Sequence, residues 1–241
     1  MDLRMTPRRS EGRSDEAPLR RGGGMKYASQ ALPRRRLLWP ALALGVLLLA
    51  GCARDGAQEH YERGKALYNQ GKFAEAEKEY REAIRLKPNF VVAHYNLGLA
   101  LKWSGGGPYE AIKEYREAIR LKPDYAEAHY ELAAVLYGFG ESEEAIKELR
   151  EYVRLKPDDA EAHRSLGNVL WWRGTIEEVT KEYREVVRLK PDDAEALWDL
   201  AIALDHQDKR KEARIYWERA EKVEKRPEEL EKIKKRLAEP R

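Results

Sequence analysis

One cysteine, three phenylalanines and three methionines occur among 241 residues. The single cysteine, Cys52, excludes disulfides within the chain and metal clusters built on thiolates. The longest apolar stretch, Leu37 to Ala50, holds 14 residues, whereas a membrane-spanning helix needs about 20. The glycine run Gly105-Gly106-Gly107 lacks the Lys-Ser/Thr that completes a phosphate-binding loop. No nucleophile with a base and no metal motif stands out. The abundant carboxylates recur with Lys and Arg at three- and four-residue spacings, as on solvated helix faces. These gaps point away from an enzyme, a cofactor or a metal, and make a small-molecule substrate an unsuitable ligand.

The formal charge of +3 is equally uninformative about nucleic acid. Residues 1–51 hold 10 of the 46 Lys and Arg but 4 of the 43 Asp and Glu, which leaves 36 against 39, or −3, on the remainder. A nucleic-acid reader needs a basic face on the folded part. The leader itself is organised: Arg34-Arg35-Arg36 precedes the apolar stretch, and small residues follow it, the order of an export signal. Leu49-Ala50-Gly51-Cys52 resembles the lipobox of bacterial lipoproteins. That resemblance implies a thioether lipid (palmitate-type chains) on Cys52, cleavage before it and acylation of the new amino terminus. Ala53 in place of Asp then implies sorting to the outer membrane, facing the periplasm. Either Met1 or Met25 can serve as the start.

What the chain has in plenty is repetition. Arg81-Glu82-Ala83-Ile84-Arg85-Leu86-Lys87-Pro88 returns letter for letter as Arg116 to Pro123, and close variants end at Pro157 and Pro191. The prolines lie 35, 34 and 34 residues apart. A fixed period of this size marks a solenoid of two-helix units, each burying its apolar face only by stacking on its neighbours. In the first unit Gly64, Leu67 and Tyr68 mark one helix, Asn69 to Lys72 a turn, and Phe73, Ala76, Tyr80, Ala83 and Ile84 the next. Pro88 cannot continue that helix.

The units resemble tetratricopeptide repeats. His94, Leu97, Gly98, Leu101, Ala111, Tyr115, Ala118 and Pro123 fill the family's positions in unit two. His129 to Pro157, His163 to Pro191 and Leu197 to Ala220 do so in the next three. The resemblance implies an all-α fold, a right-handed superhelix of helix-turn-helix repeats. The expected organisation is a leader and signal at 1–51, a lipidated tether at 52–57, five units over 58–225, and a capping helix and tail at 226–241. Pro227 suits the start of that cap, and Leu230, Ile233 and Leu237 give it one apolar stripe. In unit three Leu149 replaces the usual aromatic and Tyr152 the usual Ala, so bulk moves by one helical turn. Unit two carries an extra residue in Ser104 to Pro108.

His60, His94, His129 and His163 occupy one position in four consecutive units. Equivalent helices lie about 10 Å or more apart, while nitrogens sharing a zinc must come within about 2.0–2.1 Å of it, so the ladder reads as packing. The binding face implied by the family is the concave one, lined by the first helix of each unit. Carried over by position, it contains Tyr61, Lys65, Tyr68 and Asn69, then Tyr95, Lys102 and Trp103, then Tyr130 and Tyr137. Arg164, Asn168, Trp171 and Trp172 follow, then Trp198, Asp205 and His206. Trp, Tyr and Arg are the residues of binding hot spots. Trp171 and Trp172 stand about 100° apart around one helix, so at least one is expected to be exposed. The expected partner is a protein or an extended peptide segment, with the membrane engaged through the lipid. The function so implied is an adaptor in an envelope machine of the type IV pilus or secretin kind. The competing expectation is an envelope protein that stacks wall polysaccharide on the same rings or recruits a wall enzyme.

Overall fold

The computed structural model describes residues 56–105 and 107–238, all within the compact unit that spans Gly45–Arg241. The leader, Cys52 and residues 53–55 of the tether lie outside the described residues. Helix α1 covers 56–69. It is followed by α2 (Phe73–Leu86), α3 (Val91–Ser104), α4 (Pro108–Leu121), α5 (Ala126–Gly138), α6 (Ser142–Leu155), α7 (Ala160–Arg173), α8 (Ile176–Leu189), α9 (Ala194–His206), α10 (Arg210–Val223) and α11 (Pro227–Ala238). Each helix packs on the one before and the one after, which makes an α-solenoid. Among the described residues none is long and apolar enough to cross a membrane.

The even-numbered helices through α8 end two residues before their proline, because the position preceding a proline is driven out of the helical region. Their apolar residues fall on one face. On α2, α4 and α8 the buried residues include Ala or Val, then Tyr four residues on, then Ala or Val three further on. The odd-numbered helices α3, α5, α7 and α9 are buried on more of their circumference. One continuous core runs from Ala76 to Ile233, with a small cluster of Ala57, Ala83, Phe90 and Ala93 at the amino-terminal end.

The close approach within a unit depends on a glycine and a ring. A Cβ on Gly98 would stand 2.5 Å from the Tyr115 ring, and one on Gly167 would stand 2.5 Å from Tyr183, closer than carbon atoms can pack. Unit three shows the alternative, with Ala133 facing a helix that carries Leu149 where units one, two and four carry Tyr. The displaced bulk, Tyr152, does not refill that space. It packs on Tyr130 at 5.1 Å and donates its hydroxyl to Asp159 at 2.7 Å. The longer turn between α3 and α4 is made by Gly105 at φ 79° and Gly107 at φ 95°, left-handed values that a side chain would strain. Helix α11 opens at Pro227 and buries Ile233 completely, with Leu230 and Leu237 partly covered beside it.

Candidate functional site

The first helices α1, α3, α5, α7 and α9 place Tyr61, Tyr95, Tyr130, Arg164 and Trp198 at one recurring position, 34 or 35 residues apart. All five are half-buried. Tyr61 lies 5.2 Å from Phe90 and 5.9 Å from Tyr80. Tyr95 lies 5.0 Å from Tyr125 and 6.0 Å from Tyr115. Trp198 stands edge-on to Trp217 at 4.9 Å. Each ring therefore rests one side on the second helix of its own unit or on the loop that enters the next, in the tilted or edge geometry aromatic pairs favour. Lys87 and Lys122 sit over the loop rings Phe90 and Tyr125 at 4.3 and 5.2 Å, which places cations on aromatic faces.

Two hydroxyls below this row are unusual. Tyr80 and Tyr115 are fully buried and their oxygens have no hydrogen-bond partner among the described residues. In unit four the same hydroxyl, on Tyr183, donates to Asn168 Oδ1 at 2.8 Å. Lys65 and Leu99 stand where Asn168 does, and neither offers an acceptor at that place. Burial pushes the Tyr80, Tyr95 and Tyr115 hydroxyls well above the ordinary phenol range, and Tyr125 up to about 12. Neighbouring hydroxyls and carboxylates add to this, so these rings stay neutral donors.

The cationic members are already engaged, as is Asn168. Lys65 pairs with Glu62 at 3.4 Å and Lys102 with Glu131 at 3.1 Å. Arg164 donates to Asp193 at 2.7 Å and Glu195 at 2.9 Å. The partners of Lys102 and Arg164 lie 29 to 31 residues further on, in the next unit, where the sequence of one unit does not show them. Sequence reasoning also missed Asp199, whose carboxyl is raised by burial to about 6 against the pull of Arg164.

The most exposed rings collect where the first helix turns into the second. Trp172 is 73% exposed and Trp171 is half-buried, edge-on to His206 at 5.1 Å. Trp103 is 59% exposed and stacks on Phe73 at 6.1 Å, which in turn meets Tyr68 at 5.1 Å. Tyr137 is exposed, as are Tyr109 and Phe139, a pair 5.4 Å apart that was not singled out from sequence. A turn residue has no core reason to be large and apolar, and that was the available signal. The Asn69 side is open, and Asp205 accepts from the Trp217 indole at 3.0 Å. Among the described residues no three His, Cys, Asp or Glu are placed to hold a metal ion.

The comparisons with known proteins agree with this architecture. Family models described as TPR repeat or tetratricopeptide repeat match residues 58–105 and 109–140, 126–169, and 181–228. The chain is a tetratricopeptide repeat protein. Over 38 residues, 16% of the chain, it is 53% identical to the Hsp70-Hsp90 organising protein of Plasmodium falciparum (isolate 3D7), of whose length the match spans 7%. Among solved structures it is similar to MamA, at 24% identity over 78% of this chain and 98% of that one, with a TM-score of 0.62. YrrB, described as a TPR protein with an unusual peptide-binding site, gives 20% identity, 73% and 90% coverage and 0.64. Pseudomonas aeruginosa pilF gives 20%, 77% and 84%, and 0.59. At these identities the likeness is one of fold.

Proposed function

We propose that this chain is a lipid-anchored adaptor of a bacterial cell envelope, which holds an extended segment of a partner protein along its first helices during assembly of a larger machine. The observation that carries the binding half is the row of half-open rings at one position of successive units, Tyr61, Tyr95, Tyr130 and Trp198, flanked by the exposed Trp103, Tyr137 and Trp172. Rings of this kind contribute most where a partner can cover them. YrrB, with its peptide-binding site, shares the fold. The anchor half stands on Leu49-Ala50-Gly51-Cys52, and a pilus- or secretin-type machine is the setting that the family resemblance favours, with pilF among the proteins of like fold.

Two measurements separate the halves. Cys52→Ser should abolish metabolic lipid labelling of the full chain; equal labelling of the variant would refute the anchor. Tyr137→Ala with Trp172→Ala should weaken capture of peptides from an envelope extract at least about tenfold, at unchanged melting temperature. Capture of wall glycan without any protein would instead favour a polysaccharide-binding protein.

A further inference from the structure

The repeated histidines are more than space-filling. His94 places Nδ1 2.6 Å from a Glu114 carboxylate oxygen and Nε2 2.9 Å from the carbonyl of Pro88. His129 repeats this with Glu148 at 2.6 Å and Pro123 at 3.0 Å, and His163 with Glu182 at 2.7 Å and Pro157 at 3.1 Å. All three rings are 5 or 6% exposed, so water cannot stand in for either partner. A neutral imidazole carries one N–H, and here both nitrogens face acceptors. The geometry is satisfied only if the His–Glu pair holds one further proton, either as imidazolium with carboxylate or shared along the short Nδ1···O contact.

The chain supplies its own control. In unit five the histidine position is Leu197 and the glutamate position is Tyr216, so both members are absent together, and that unit still packs. In unit one His60 meets Glu79 at 2.6 Å, but it is more exposed and the residue six before it lies outside the described residues. Among the described residues the full arrangement occurs where a preceding unit supplies a proline carbonyl.

We infer that each of these three pairs is a proton-dependent clip, which ties the end of one repeat to both helices of the next and opens when its extra proton is lost. Nε2 holds the preceding loop and Nδ1 holds the second helix of the same unit, so a single imidazole sets the joint between repeats. Losing the proton leaves a bare nitrogen against a buried oxygen, and one of the two ties must part. For His94 and His129, burial alone lowers the basicity. The bond from the glutamate, the proline carbonyl and a second carboxylate, Glu117 or Glu151, outweigh it and raise the pKa above the usual histidine value. Those second carboxylates are themselves held by Arg120 and Arg154, and Glu185 in unit four by Arg188. A group raised on folding contributes stability that is whole below about pH 6.5 and is lost as pH rises through the folded value. The array should therefore be tighter in mild acid than in mild base. The inference rests on the joints alone and is independent of what the groove binds.

The test compares the full chain with a variant carrying the unit-five pair at all three joints: His94→Leu and Glu114→Tyr, His129→Leu and Glu148→Tyr, His163→Leu and Glu182→Tyr. Between pH 6.5 and 9 the parent should lose at least about 4 °C more of its melting temperature than the variant does. Nitrogen-15 spectra of the parent should show the His94 and His129 imidazoles changing state together with that loss. Parallel melting curves would overturn the inference. So would imidazole nitrogens that do not change between pH 6.5 and 9, a reading that holds even if the variant fails to fold.

Discussion

The first three units and the last two build the same joint from different materials. In the first, the loops after the prolines present Phe90 and Tyr125 at the helix starts, and these pack on Tyr61 and Tyr95. In the second, the same loop position is Asp159 or Asp193, each accepting from two backbone N–H groups of the helix it opens. Arg164 then replaces the tyrosine and pairs with Asp193. Unit three is the seam, where Tyr152 leans over to serve both Tyr130 and Asp159. A ring joint is held by area removed from water, which salt hardly weakens. An ionic joint is held by caps and partly exposed charges, which salt screens. The row thus holds tyrosines at one end and, at the other, tryptophans beside paired charges.

The largest break should come from Tyr95→Ala. It strips the packing of Tyr115 and Tyr125 together and should cost about 3 kcal/mol in chemical denaturation, nearly unchanged in high salt. A strong salt dependence of that loss would erase the distinction between the two ends. Asp193→Ala attacks the ionic end, where removing a cap costs about 1 kcal/mol and strands Arg164 with fewer partners. Its effect should shrink in high salt, where Tyr95→Ala does not.

Asp199 sharpens the contrast through pH. Its carboxyl is raised to about 6 in the fold from 3.8, so the stability it contributes is present below about pH 4 and disappears as pH rises through 6. Asp199→Asn should flatten that slope and leave the array about 1 kcal/mol more stable at pH 7. Melting curves at pH 4, 5, 6 and 7 would show it, and an unchanged slope would mean that Asp199 is solvated. Smallest of all should be Trp172→Ala, within about 0.5 kcal/mol of the parent in stability because the ring touches so little. A larger loss would make Trp172 part of the fold.

The helices and their order were legible because a 34-residue period states each of them four or five times over. Gly98 with Tyr115 could be read as a close contact for the same reason. The face of the groove was legible as positions, not as chemistry. Nothing within a single unit shows that Arg164 is spoken for by Asp193 and Glu195, since those residues lie 29 and 31 further on. Nor could four histidines at one position reveal their glutamates, because the pairing crosses the turn whose length varies. The Tyr80 and Tyr115 hydroxyls look like ordinary core residues until the missing asparagine is noticed at Lys65 and Leu99.

The extra residue between α3 and α4 has a further meaning. Outer arginines reach the next unit 28 residues on, from Arg116 to Glu144, Arg150 to Glu178 and Arg184 to Glu212, at 2.5–2.7 Å. Across the lengthened turn Arg81 reaches Glu110, 29 residues on, at 2.5 Å. The rung is intact and only the counting has changed. Two left-handed glycines take up the slack on the spot, so the units downstream never register the insertion. A chain built this way can gain or lose residues at its turns without falling out of step.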